Sequence, residues 1–154
     1  MENNEIYFTN IIPTVWIAYL TGSANMQIHT QLKKFCDQKS IKKVIRIDKD
    51  IDYWHKSRDY INEIKQNLLK HEIDLLYTYC QDKSTILHNN YLNGVETLII
   101  SDRRLELISC LVITFLKKYA DMTPQQSFSA IQTKLFHPVE LSEEMQYMLR
   151  VCFT

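Results

Sequence analysis

The sequence predicts an α/β fold: a central, mostly parallel sheet of four to five strands, helices on both faces, in a single domain spanning residues 1–154. Three observations predict it. Short apolar runs of strand character alternate along the chain with longer stretches of helical periodicity, the order that builds a parallel sheet through crossover helices. Thr97–Lys118 passes from an apolar run (Leu98, Ile99, Ile100) through a polar loop into a strongly apolar helical pattern. Finally, 45% hydrophobic and 23% charged residues over 154 positions suffice for one buried core and exclude disorder.

Ile6–Tyr7–Phe8 and Ile11–Ala18 form the first strands, with Val15, Ile17 and Tyr19 alternating and Thr21–Gly22–Ser23 as a turn. Residues 24–38 form a helix with Met26, Leu32, Phe35 and Cys36 on its apolar side, and His29 is a surface or half-buried residue there, with nothing nearby at ligand spacing. Ile41–Asp48 is a strand. Asp50–His71 has helical periodicity, with Trp54, Ile61, Ile64 and Leu68 on one face. Ile73–Cys80 reads as a strand, and Ser84–Leu92 as a short helix.

After strand Leu98–Ile100 and the loop Ser101–Asp102–Arg103–Arg104, Leu105, Ile108, Val112, Phe115 and Tyr119 recur at helical spacing. Cys110 on this helix is a small core residue. Thr123, Pro124 and Gln126 give the next helix a capping box with proline at its first position. Phe128, Ala130, Ile131 and Leu135 form its buried face, and His137–Pro138 ends it. Ser142 opens a last helix, Glu143–Cys152.

Composition excludes several classes. A formal net charge of zero argues against a broadly basic nucleic-acid surface. The tyrosines and tryptophans alternate with apolar residues, as core and interface side chains do. Four cysteines lie without CxxC spacing, so neither a metal site nor a disulfide framework is indicated, and no cofactor is implied. With no signal peptide and no apolar run long enough to span a bilayer, the chain is expected to be soluble and cytoplasmic.

A strand, a tight loop and a buried helix aim backbone N–H groups and a helix N-terminus at an anion. With the hairpin Ile11–Ala18, the strand Ile41–Asp48, the loop at Ser101–Arg104, the helix Val112–Lys118 and the Met122–Phe128 helix start, this segment resembles the dual-specificity branch of the protein tyrosine phosphatase superfamily over about residues 5–150. Asp50–His71 is then an enlarged helical connection. Anchored on Val112–Leu116, the resemblance sets Ile100 at the family's histidine, Ser101 at its nucleophilic cysteine and Arg104 at the loop glycine. Leu107 takes the place of the phosphate-gripping arginine, and Ile108 that of the serine or threonine after it. Asp82, after Cys80, falls where the family carries its general-acid loop and is the relic-acid candidate; otherwise it caps or precedes the Ser84–Leu92 helix.

Each replacement has a chemical consequence. A cysteine in such a loop attacks as a thiolate, and serine has no comparable acidity. An arginine fork makes paired charge-assisted hydrogen bonds, each worth roughly 1.5–3 kcal/mol, whereas leucine makes none. The resemblance with these losses implies a pseudophosphatase acting through a protein partner or as a homodimer, with Trp54 and Tyr60 as candidate contact residues. Because the branch includes virion-associated phosphatases of the poxvirus type, a viral origin and a place in host cytoplasm or virion are implied as well. Two alternatives stand beside this reading. In one, Arg103 and Arg104 bind a phosphopeptide or anion without hydrolysis, opposed by the charges of Asp102 and Glu106. In the other, Ser101 supports an altered chemistry, which requires a base or a metal near it.

Overall fold

A computed structural model describes residues 5–20, 25–47, 65–102, 105–135, 139, 141, 146 and 149, with the backbone alone at 65–76, 102 and 106. Four strands form one sheet: β1 (Ile6–Ile12), β2 (Val15–Leu20), β3 (Lys43–Arg46) and β4 (Thr97–Asp102). Their spatial order is β1-β2-β4-β3. β1 runs antiparallel to β2, while β2 and β3 both lie parallel to β4. Thr14, at φ 72°, turns the first hairpin, and its carbonyl accepts from the Thr97 N–H at 2.8 Å, tying the turn to the start of β4.

Period-two alternation decides what each strand buries. Leu98 and Ile100 of β4, with Ala18 and Leu20 of β2, pack on one face against Ile28, Leu32 and Phe35 of α1 (Met26–Lys39). Ile99, Val15, Ile17, Tyr19 and Ile45 point to the other face. There they meet α3 (Leu105–Ala120), which packs against α2 (Lys65–Leu92) and α4 (Pro124–Gln132). Helices therefore cover both faces, and the fold is the expected α/β arrangement with a mostly parallel sheet.

The largest difference from the sequence reading lies in α2. The segment Ile73–Cys80 is not a strand, and Gln81–Asp82 is not a loop; both are interior to one helix that runs on to Leu92. The reason is visible in the spacing. Positions 73, 76, 77 and 80 are apolar at three- and four-residue intervals, and Cys80, Ser84 and Leu87 continue that stripe as buried residues. A run of β-prone side chains was thus compatible with two periods, and packing against α3 selected the helical one. Of the connection Asp50–His71, residues 65–71 open this helix, and the remainder lies outside the described residues.

Smaller adjustments follow from caps and faces. Asn25 is the N-cap of α1, its side-chain oxygen accepting from the Ile28 N–H at 2.9 Å, and Met26 is 82% exposed. In α4 the capping box forms as expected: Gln126 N–H donates to Thr123 Oγ1 at 3.1 Å, and Thr123 N–H donates back to Gln126 Oε1 at 3.0 Å. Ser127 and Ile131, with Phe128 half-buried, form the inner side of α4, whereas Ala130 is exposed. His137–Pro138 and most of the C-terminal helix lie outside the described residues, although Gln146 and Leu149 are helical. No described helix is long and apolar enough to cross a membrane.

Every residue from Leu107 to Leu116 is buried. Phe115→Ala is therefore expected to cost about 3 kcal/mol in chemical denaturation. Thr123→Ala should cost about 1 kcal/mol by removing the cap of α4. A neutral Phe115→Ala would contradict the burial of α3.

Candidate functional site

The candidate site stands where β4 ends and α3 begins. β4 lies between β2 and β3, and only residues 103 and 104 separate it from α3. The strand extends through Asp102, so Ser101 is a strand residue rather than the first residue of a loop. It pairs in register with Tyr19 of β2 and shares the sheet face of Ile99, the face covered by α3.

Ser101 is fully buried, and its Oγ has no hydrogen-bond partner among the described residues. The other hydroxyls nearby behave differently. Ser109 Oγ donates to the Leu105 carbonyl at 2.8 Å, and Thr114 Oγ1 to the Cys110 carbonyl at 2.9 Å, so α3 satisfies them within its own backbone. A strand residue has no carbonyl one turn back to receive its hydroxyl. Ser101 thus combines the burial of a core residue with an unused polar atom.

Leu107 and Ile108 both belong to the core beneath the sheet, at 8% and 0% exposure. Where the resemblance sets the phosphate-gripping arginine, the side chain packs among apolar neighbours. Ile100 points to the opposite face, into the cluster under α1. Arg103 and Arg104 lie outside the described residues, and only the backbone of Asp102 and Glu106 is described. Asp82 is exposed on α2, well inside the helix, so it neither caps a helix nor sits on a loop. Trp54 and Tyr60 fall outside the described residues.

The buried cysteines offer no substitute nucleophile. Cys80 Sγ and Cys110 Sγ are 3.9 Å apart, joining α2 to α3 inside the core. The hydrogen bond with Cys80 and full burial push the Cys110 thiol well above its ordinary range, which keeps it protonated. Both are core residues, as expected for Cys110. Among the described residues no group of three or more His, Cys, Asp and Glu side chains is placed to hold a metal.

Among the described residues, recesses lie elsewhere. One, of about 1000 Å³, opens between α4 and the C-terminal segment and is lined by Thr123, Pro124, Phe128, Leu141 and Leu149 among others. Another, of about 250 Å³, lies between α1 and β3 and is lined by His29, Lys33, Arg46, Cys36, Val44, Leu32 and Leu98. His29, expected at the surface or half-buried, is exposed on its rim. The signal that would have found the second recess was the local charge: residues 26–46 hold six basic side chains and one acidic one in a chain of zero net charge.

Among solved structures, human DUSP28 superposes with a TM-score of 0.60 at 7% identity, covering 93% of this chain and 90% of that one. A mouse dual specificity phosphatase crystallised with zinc tungstate superposes with a TM-score of 0.56 at 10% identity, over 93% of this chain and 84% of that one. No family model and no curated protein matches the sequence. At such identities the likeness is one of fold, and the chain has a dual-specificity-phosphatase-like fold.

The orphaned hydroxyl makes a direct prediction. Replacing a buried, unpaired polar atom by hydrogen removes a desolvation cost, so Ser101→Ala should leave stability unchanged or raise it by about 1 kcal/mol in urea unfolding. A clear loss of stability would mean that Ser101 Oγ has a partner.

Proposed function

We propose that this chain is a catalytically inactive dual-specificity-phosphatase-like protein that works by contact with another protein. One observation carries the reading: at the two positions that matter most for phosphoryl transfer in the resembling family, a sealed, unpartnered hydroxyl (Ser101) and a core leucine (Leu107) stand where a thiolate and an arginine would be needed. A nucleophile must reach its substrate and be activated by a neighbouring base or a lowered pKa. Ser101 is fully buried, and no described group bonds to it. Transferring phosphoryl oxygens also need cationic or backbone donors at close range, and an aliphatic side chain supplies none.

A folded scaffold without this chemistry remains useful through its surface, as a regulator, scaffold or structural subunit. Trp54 and Tyr60 stay candidate anchors for such a contact, and a homodimer is the simplest assembly. A degenerate viral copy, acting in host cytoplasm or virion, is the origin this reading favours.

The purified protein should not hydrolyse para-nitrophenyl phosphate or a phosphotyrosine peptide above background. Ser101→Cys should stay inactive too, because a thiol placed in that buried position meets no arginine at 107. Turnover by the wild type that disappears in Ser101→Ala would overturn the reading in favour of an altered chemistry at Ser101. Saturable protection by inorganic phosphate, lost in Arg103→Gln/Arg104→Gln, would favour an anion-binding loop instead.

A further inference from the structure

The geometry points to a second binding site, on the face opposite α3: the recess between α1 and β3 receives an extended acidic segment of a partner protein, its carboxylates held by Lys33 and Arg46 and an apolar side chain seated on Leu32 and Val44. The inference rests on the reading of the chain as a contact protein and names the chemistry of the contact.

Three observations carry it. The recess is lined by three basic side chains, His29, Lys33 and Arg46, and by no acidic one. All three are exposed, so their polar ends can reach a partner, and Lys33 and Arg46 bring positive charge. The surrounding stretch adds to the field: residues 26–46 carry six Lys and Arg against Asp37, although Glu96 accepts from the Trp16 indole beside Lys39, and Asp48, Asp50 and Asp52 follow Arg46 in sequence. A local excess of that size in a neutral protein selects an anionic partner and speeds its encounter.

The second observation is the floor. Leu98 is fully buried, Leu32 is half-buried, and Val44 is 42% exposed on the recess wall. Cations around an apolar floor fit a side chain that is acidic at its flanks and greasy at its centre. At about 250 Å³ the space is below the roughly 300–1000 Å³ of drug-sized ligand sites, so it suits one anchoring side chain rather than a folded element or a large cofactor. The third is position. β3 is one of the two edge strands of the sheet among the described residues, so a chain in extended conformation can lie along it and reach the recess. No Phe, Tyr or Trp ring is among the lining residues, which favours a peptide over a stacked base.

Cys36 reports on occupancy. It is a half-buried lining residue; burial and Asp37 push its thiol up, while Arg46 draws it down. A carboxylate seated on Arg46 offsets that help and covers the sulfur, so the thiol reacts more slowly.

The test is fluorescence anisotropy of the full chain with a short labelled peptide alternating Glu and Leu, beside its Gln-for-Glu counterpart. Alkylation of Cys36 by iodoacetamide, read by peptide mass spectrometry, runs in parallel. The Glu peptide should bind, weaken with salt, and slow the alkylation of Cys36. Lys33→Gln with Arg46→Gln should weaken it about fivefold to tenfold, whereas Lys134→Gln, on an exposed position at the end of α4, should not. Equal binding by the double variant, equal binding of the Gln peptide, or unchanged Cys36 alkylation would each overturn the inference. So would tighter binding of a single-stranded oligonucleotide, or a dimer dispersed by Lys33→Gln with Arg46→Gln, which would assign the recess to a nucleic acid or to a second copy. Hydrolysis at Ser101 would sink the contact-protein reading without moving any of these readouts, so the two failures are distinguishable.

Discussion

The burial of α3 against the sheet is the constraint on which the rest of the structure depends. A helix apolar on all sides can be stable only when other elements enclose it. β4 and β2 supply one wall, α2 and α4 two others, and Leu149 reaches it from the C-terminal segment. Lys117, near the helix end, donates to the Leu149 carbonyl at 3.2 Å, so even the rim is fastened. Each fully buried Leu, Ile or Phe contributes about 1.5–3 kcal/mol relative to exposure. With Ile108, Leu111, Val112, Ile113 and Phe115 all sealed, α3 holds the largest single share of that burial.

The same burial governs the end of β4, where a phosphate-binding loop would set other demands. Such a loop needs open space above a helix N-terminus and side chains directed into it. Here the residues that follow the strand are drawn downwards: Leu107 and Ile108 belong to the core, and Ser101 is sealed beneath the sheet's covering helices. The cost of one unpaired buried hydroxyl, about 1–3 kcal/mol, is small beside the apolar surface that its position helps to enclose. Ser101, Leu107 and Ile108 are all placed by packing.

The α2–α3 contact shows how polar groups are accommodated once the helices must touch. Cys80 and Cys110 meet as thiols, and the His88 ring lies flat on Tyr119 at 3.7 Å between centroids, close to Phe115. These pairs join small or planar groups that pack without voids. On the opposite side of the sheet the demands are looser. α1 buries a narrow stripe, leaving Lys33 and His29 exposed beside an edge strand, so that face is free to carry charge.

The sequence by itself determined those elements whose side-chain period admits one reading. Val15, Ile17 and Tyr19 alternate only as a strand, Leu105–Tyr119 repeats only as a helix, and Thr123-Pro-Gln-Gln can hardly be other than a helix start. The identities of Ser101 and Leu107, on which the proposed inactivity rests, were legible too. Tertiary structure decided the rest. Ile73–Cys80 satisfies strand and helix patterns alike, and contact with α3 chose the helix, which carried Asp82 off a loop and onto an exposed helical face. Neither the solitude of Ser101 Oγ nor the convergence of His29, Lys33 and Arg46 is a local property. Both arise where elements distant in sequence meet, and no window along the chain contains the two sides of such a meeting.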